Sequence, residues 1–117
     1  MLSEREFGEF KRGPLQMLVL FLLSQQDMYG YQIAQEIKAR SGGKFTVSET
    51  AFYVVLYRLI DKEYISKQKE VGVKKARVFY HLEPTGREFL NDLLNAYQTM
   101  SDGVWDILNS TAQHSER

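Results

Sequence analysis

The stretch SETAFYVVLYRLIDKEYI, residues 48–65, holds the side chains with the most evident chemistry in the sequence. An apolar set recurs there at helical spacing and predicts one buried helix face, formed by Phe52, Val55, Leu56 and Leu59. The opposite face carries Tyr53, Val54, Tyr57 and Arg58. Hydroxyl and guanidinium groups of this kind bind phosphates, and the N-terminus of the helix, near Ser48 and Thr50, favours an anion.

The charges of the chain are unevenly distributed. The net charge is zero, which by itself argues against a nucleic-acid binder. Residues 58–77, however, hold seven basic and three acidic side chains, a balance of +4, whereas residues 83–117 hold two basic and six acidic ones, a balance of −4. A basic segment beside the helix described above indicates an anionic partner, and two ordinary solvated faces are the alternative.

Composition excludes several functions. The 117 residues include no cysteine, so disulfides and thiolate metal sites are absent, and 44% hydrophobic content is typical of one folded domain. His81 and His114 have no partners at metal-ligand spacing. There is no Ser–His–Asp set and no phosphate loop, so we expect no enzyme, cofactor or metal. The apolar run from Leu15 to Leu23 is too short to span a bilayer, which takes about 20 residues, and we expect a cytoplasmic protein without membrane contact.

Three helices are predicted in the first half of the chain. The first covers about 13–24, with Pro14 in its first turn, and is apolar on both sides, which predicts burial all round. The second covers about 28–41, with Asp27 as its N-cap and Gly42-Gly43 ending it. The third covers about 48–63, with Ser48 as its N-cap.

A hairpin and a long helix follow. YISKQKE and ARVFYHLE alternate as strands, with Val78, Tyr80 and Leu82 on one face, and VGVKK connects them. Pro84 begins a helix of about 84–110. Its apolar positions repeat at spacings of three and four, as in helices that pack on a second helix: Leu90, Leu93, Tyr97, Met100, Val104 and Ile107. Since this pattern exceeds what so small a core needs, it predicts a homodimer.

This order predicts a mainly α fold with a small β-hairpin: a winged helix-turn-helix domain over 1–83, then a C-terminal dimerisation helix and tail over 84–117. In that fold the second helix of the pair enters the major groove of double-stranded DNA, and the hairpin lies along the phosphates. The predicted DNA-binding residues are Ser48, Thr50, Tyr53, Tyr57, Arg58, Lys74, Lys75 and Arg77, with Tyr29 within reach of a phosphate. The alternative for Tyr53 and Tyr57 is an ordinary surface role, and the alternative for Tyr29 is packing at the start of the second helix.

Three blocks of the sequence also resemble the PadR family of transcriptional regulators: GPLQMLVLFLLSQQDMYGYQIAQEI, SETAFYVVLYRLIDKEYI and ARVFYHLEPTGREFL. The resemblance implies a homodimeric repressor that releases DNA when a small aromatic or lipophilic effector binds at the dimer centre. The residues expected at that site are Tyr97, Met100, Trp105, Met17 and Phe21, and dimer packing is their alternative role. The hairpin connection has fewer glycines and bases than is usual in the family. The main alternative function is therefore a winged helix that binds another protein and not DNA.

Overall fold

The computed structural model describes residues 1, 3–70 and 77–111, and these form four helices and one small sheet. The elements in chain order are α1 (Glu4–Gln25), β1 (Met28–Tyr29), α2 (Gly30–Arg40), α3 (Glu49–Asp61), β2 (Ile65–Lys69), β3 (Val78–Leu82) and α4 (Pro84–Leu108). This order confirms the predicted winged helix-turn-helix with one long C-terminal helix. No helix within the described ranges is both long and apolar enough to cross a bilayer.

Helix α1 is longer than the sequence predicts. It begins at Glu4, so Pro14 lies in its interior and not in its first turn. Glu, Arg and Lys predominate before Pro14 and favour helix, so the helix continues across the one hydrogen bond that proline removes. From Leu15 onward α1 is largely buried, and Val19 and Leu20 have no exposed surface.

The start of α2 differs from the prediction that Asp27 caps it. Met28 and Tyr29 instead form β1, which pairs antiparallel with β3 through Met28 opposite Tyr80 and Tyr29 opposite Phe79. Tyr29 is therefore the N-cap residue, and its backbone N–H donates to Oε1 of Gln32 at 2.8 Å. The sheet has the order β1–β3–β2, and the predicted two-stranded hairpin gains a third strand. The end of α2 is as predicted, because Gly42 and Gly43 adopt φ values of 63° and 82°.

Helix α3 packs by its predicted apolar face. Phe52, Val55, Leu56 and Leu59 are all buried, together with Ile33 of α2. The Oγ of Ser48 accepts a hydrogen bond from the Ala51 N–H at 3.2 Å, which confirms the predicted cap. With one face held in the core, the opposite face of α3 points away from the domain.

A close junction connects the end of α3 to the start of α4. Glu63, in the turn after α3, has a φ of 62°, and its carbonyl accepts a hydrogen bond from Oγ1 of Thr85 at 2.9 Å. The Tyr64 carbonyl accepts from the Glu83 N–H at 3.0 Å. Gly86 packs directly against that carbonyl, so that a Cβ there would overlap the Tyr64 oxygen and lie 2.8 Å from Cδ1 of Leu82. The rings of Tyr64 and Phe89 stack at 4.4 Å.

Beyond its first turns, α4 extends out from the core. Leu90 is buried and Leu93 packs on the core, but the remaining apolar positions are exposed: Leu94, Tyr97, Met100, Val104, Trp105, Ile107 and Leu108. The helix has 25 residues and is therefore about 38 Å long. Adjacent exposed apolar side chains of this kind mark interaction surfaces on soluble proteins.

We predict that Gly86→Ala destabilises the protein. The new methyl group overlaps a backbone oxygen, which cannot rotate away, so the turn or the start of α4 must shift. Overpacking of this kind costs about 1–3 kcal/mol or more. Urea unfolding measures the loss, and Gly13→Ala is the matched control, since nothing lies within 4 Å of a Cβ at that helical position. Equal stability of the two variants would contradict the close packing at the junction.

Candidate DNA-binding surface

The outer face of α3 is an accessible polar and aromatic surface on the helix-turn-helix. Thr50, Ala51 and Arg58 are exposed, and Val54 and Tyr57 are 51% and 58% exposed. Ser48 and Thr50 lie at the helix N-terminus, where backbone N–H groups favour an anion. Such a surface offers hydroxyls and a guanidinium to phosphates and base edges, and an apolar side chain to a thymine methyl. Sequence reasoning noted Val54 on this face but did not include it among the site residues.

Tyr53 does not share that outward direction. Its side chain is half-buried, packs edge to face on Phe52 at 5.4 Å and lies 6.0 Å from the ring of Tyr57. A Cβ placed on Gly30 would lie 3.3 Å from the Tyr53 hydroxyl, so the ring covers the start of α2. Nearby, burial raises the pKa of the Tyr80 phenol above its usual value, with the neighbouring Tyr53 acting in the same direction. Tyr53 thus borders the exposed face of α3 and does not form its centre.

Tyr29 lies at the base of the hairpin with its hydroxyl already bonded. The hydroxyl donates to Oε2 of Glu70 at 2.6 Å, and the Arg77 guanidinium carbon lies 5.7 Å from the centre of the ring. The bond to Glu70 raises the pKa of the Tyr29 phenol, while Arg77 acts to lower it. Glu70 is a residue that sequence reasoning missed, and no local pattern signals a pair 41 positions apart.

The basic hairpin is described in part. Arg77 is exposed, as are Lys67 and Lys69 of β2, which were not among the predicted site residues although they belong to the basic segment. Lys74 and Lys75 lie outside the described residues. The described bases therefore place positive charge on both arms of the hairpin.

A second pair on the sheet was also missed. His81, interpreted from the sequence as a plain strand residue, has its Nδ1 at 2.7 Å from Oδ1 of Asp27. Both side chains are largely exposed, so the pair contributes little to stability. It connects β3 to the link before β1, where Asp27 was expected to cap a helix. In the part of the chain that the structure describes, no group of three or more metal-binding side chains is close enough to hold an ion.

The structure divides the residues predicted for the dimer and effector sites. Tyr97, Met100, Val104, Trp105 and Ile107 share the exposed side of α4. Phe21 of α1 is 40% exposed, whereas Met17 is buried. Leu90 is covered by the core of its own protomer, and Leu93 is partly so. The apolar surface that is free to meet a partner or a ligand is therefore the outer two thirds of α4. Phe21 is also exposed, but it belongs to α1.

A helix-turn-helix with an exposed second helix, a basic hairpin and a long additional helix defines a winged-helix protein. The model of the transcriptional regulator PadR-like family matches residues 19–92, and the chain belongs to this family. The family regulates transcription, in agreement with the expectation that the chain is not an enzyme.

Individual proteins agree with this assignment. Uncharacterized protein X of Lysinibacillus sphaericus is 32% identical over 92 residues, covering 78% of this chain and 84% of that protein. A transcriptional regulator from Clostridium thermocellum has the same fold, with a TM-score of 0.80 at 23% identity over 84% of this chain and 96% of the other. The structure of Bacillus subtilis PadR in complex with operator DNA matches with a TM-score of 0.61 at 26% identity, over 68% of this chain and 46% of that one.

Proposed function

We propose that this regulator is a homodimeric repressor in the cytoplasm that binds operator DNA and releases it when a small aromatic or lipophilic effector binds. The observation that carries the DNA-binding part is the outer face of α3. One side of this helix is fixed in the core, and the other presents Thr50, Val54, Tyr57 and Arg58 to solvent. In a helix-turn-helix this is the face that lies in the major groove.

With the outer face of α3 in the major groove, the N-terminus of α3 and the hairpin lie close to the DNA backbone. The N-terminus of α3, with Ser48 and Thr50, is suited to a phosphate or a base edge, and the hairpin carries bases suited to the backbone. Tyr53 stays a predicted contact at the border of the face. The Bacillus subtilis PadR structure with operator DNA supports the proposal, since that protein matches 68% of this chain.

A winged helix that binds another protein is the second candidate. The zero net charge favours it, because a chain without excess positive charge gains little affinity from long-range attraction to DNA. The basic segment at 58–77 and the exposed Arg58 favour DNA. The two candidates differ in salt dependence, since phosphate contacts release counterions and protein contacts do not.

The first test is a salt titration on random duplex and on the DNA upstream of the protein's own coding region. We expect log K to fall linearly with log salt, by about 0.9 for each phosphate contact. Lys74→Ala with Lys75→Ala should weaken binding to both DNAs alike and make the slope shallower by roughly one to two per protomer. Val54→Ala should weaken binding to the specific DNA only and leave the slope unchanged, because an apolar side chain displaces no counterions.

Lys38→Ala with Lys44→Ala is the matched control, because it removes the same charge from the end of α2 and the loop after it. If both lysine pairs change the slope equally, the effect is one of net charge and the hairpin is not a DNA-binding wing. If the wild-type chain shows no salt-dependent binding to either DNA, the protein-binding candidate is the better one.

The proposed dimer is supported by the exposed side of α4. Burying apolar side chains gives about 25 cal/mol per Å², so seven exposed apolar residues on one helix favour pairing with a second apolar surface. Since the apolar positions of α4 repeat at spacings of three and four, as in paired helices, a second copy of α4 is the matching partner. Deleting residues 88–117 would not test this, because the deletion also removes Leu90 from the protomer core.

We predict that Val104→Lys with Ile107→Lys converts a dimer to a monomer. Both side chains are exposed in the protomer, so the change adds charge to the proposed interface without disturbing the core. Sedimentation equilibrium over a range of concentrations measures the mass. Asn91→Lys with Asn95→Lys adds the same charge to exposed polar positions of α4 and should stay dimeric. A wild-type chain that is monomeric at tens of micromolar would contradict the prediction.

The proposed effector site lies on the same exposed surface. Trp105 and Tyr97 offer flat apolar rings and Met100 offers an adaptable side chain, which suit a planar ligand. Phe21 on α1 is accessible to a ligand. Met17, which was also expected at this site, is buried in the core, and we no longer include it.

We predict that planar aromatic dyes quench or shift the fluorescence of Trp105, the single tryptophan. Tyr97→Ala should weaken the dye response severalfold by removing a stacking surface, whereas Gln98→Ala, at the neighbouring exposed position, should not. The measurement is a fluorescence titration with several dyes. No response to any dye, or the same response in both variants, would remove the effector site from the proposal.

A further inference from the structure

An aromatic and charged cluster lies on the outer side of the sheet, at the base of the hairpin. The Tyr29 ring stacks parallel to Tyr31, with ring centres 5.9 Å apart, and meets Phe79 edge to face at 6.5 Å. Its hydroxyl donates to Glu70 at 2.6 Å, and Arg77 lies over its ring. We refer to Tyr29, Glu70 and Arg77 as the hairpin latch.

Glu70 and Arg77 hold corresponding positions on the two arms. The Glu70 N–H donates to the Arg77 carbonyl at 2.9 Å, one step beyond the last residue pair of the β2–β3 ladder, Lys69 with Val78. Tyr29 belongs to neither arm, because it ends β1 and caps α2. One side chain from the helix-turn-helix therefore contacts both arms at the point where they leave the sheet.

The latch also explains an acidic residue in a basic segment. Glu70 lies among Lys67, Lys69 and Arg77 on the hairpin, where a negative charge opposes the approach of phosphates. Its carboxylate is bound by the Tyr29 hydroxyl in a charge-assisted hydrogen bond, the stronger kind. The same bond directs the hydrogen of Tyr29 to Glu70, so that it is not available to a phosphate.

We propose that Tyr29 is a positioning residue for the wing: by contacting Glu70 and Arg77 it fixes the hairpin against the start of α2 and sets where the basic arms meet the DNA backbone. This inference depends on the proposed DNA-binding function and changes the role of Tyr29 from phosphate contact to positioning. A short hairpin is marginally stable by itself, so its direction depends on contacts at its base.

The test asks whether removing the negative charge of Glu70 tightens or weakens binding to random duplex DNA. If Glu70 only repels DNA, Glu70→Ala removes a negative charge and tightens binding to random duplex. If Glu70 is part of the latch, Glu70→Ala weakens binding about three- to tenfold, the size expected for one lost hydrogen bond. In the Tyr29→Phe background the latch is already open, so the same Glu70→Ala change should now tighten binding. A loss of overall stability would not produce this reversal of sign.

Amide hydrogen exchange in the free protein gives a readout that needs no DNA. Tyr29→Phe removes the hydrogen bond from the Tyr29 hydroxyl to the Glu70 carboxylate. Because that bond keeps the Glu70 N–H beside the Arg77 carbonyl, its loss should raise the exchange rate of the Glu70 amide severalfold. Tyr31→Phe is the matched control, because it removes a phenol hydroxyl two residues away and keeps the stacked rings. It should alter neither the exchange rate nor DNA affinity.

The outcomes separate this inference from the proposed function. If wild type binds duplex DNA and Glu70→Ala tightens binding in both backgrounds, or if Tyr29→Phe leaves the Glu70 amide unchanged, the latch is overturned and the DNA-binding function stands. If wild type does not bind duplex DNA at any salt concentration, the proposed function fails, and the positioning role fails with it. Sign reversal together with faster exchange supports the latch.

Discussion

The close approach of Gly86 to the Tyr64 carbonyl is the constraint that places the start of α4 beside the end of α3. It allows the first turn of α4 to lie directly on the turn that ends α3, where Thr85 and Glu83 add hydrogen bonds to that same turn. The turn after α3, the helix with the candidate DNA-binding face, thus contacts the first turn of α4, the helix with the exposed apolar face, directly.

Apart from the starts of α1 and α2, the helices were predictable because their signals are local. Apolar spacing, the Ser48 cap and the glycines after α2 each act within a few residues, and the structure confirms all three. The third strand was not predictable, since β1 has only two residues and is defined by pairing with β3, about fifty positions later in the chain. Asp27 was assigned to a cap for the same reason: its partner is His81, 54 positions away.

The candidate site was predictable in outline and less so in detail. Periodicity identified the two faces of α3 but could not decide which border residue turns inward, because that depends on how the helix lies on α2. The structure turns Tyr53 toward Gly30 and leaves Val54 exposed. On α4 the heptad pattern runs continuously through Leu90 and Tyr97, yet the first is used by the protomer and the second is not. A repeat in sequence does not show where one packing partner ends and another begins.

The separation of charge along the chain has a consequence for how the protein meets a polyanion. The basic segment, residues 58–77, covers the end of α3 and the hairpin, while residues 83–117, which include α4, carry an excess of acids. A molecule of this kind has no net charge but a permanent electric dipole moment, and a nearby row of phosphates exerts a torque on it. The torque turns the hairpin and the end of α3 toward the row and the acidic helix away. Because screening limits this field to about 8 Å at physiological salt, it acts during the last part of the approach and raises the fraction of collisions that arrive in a productive orientation.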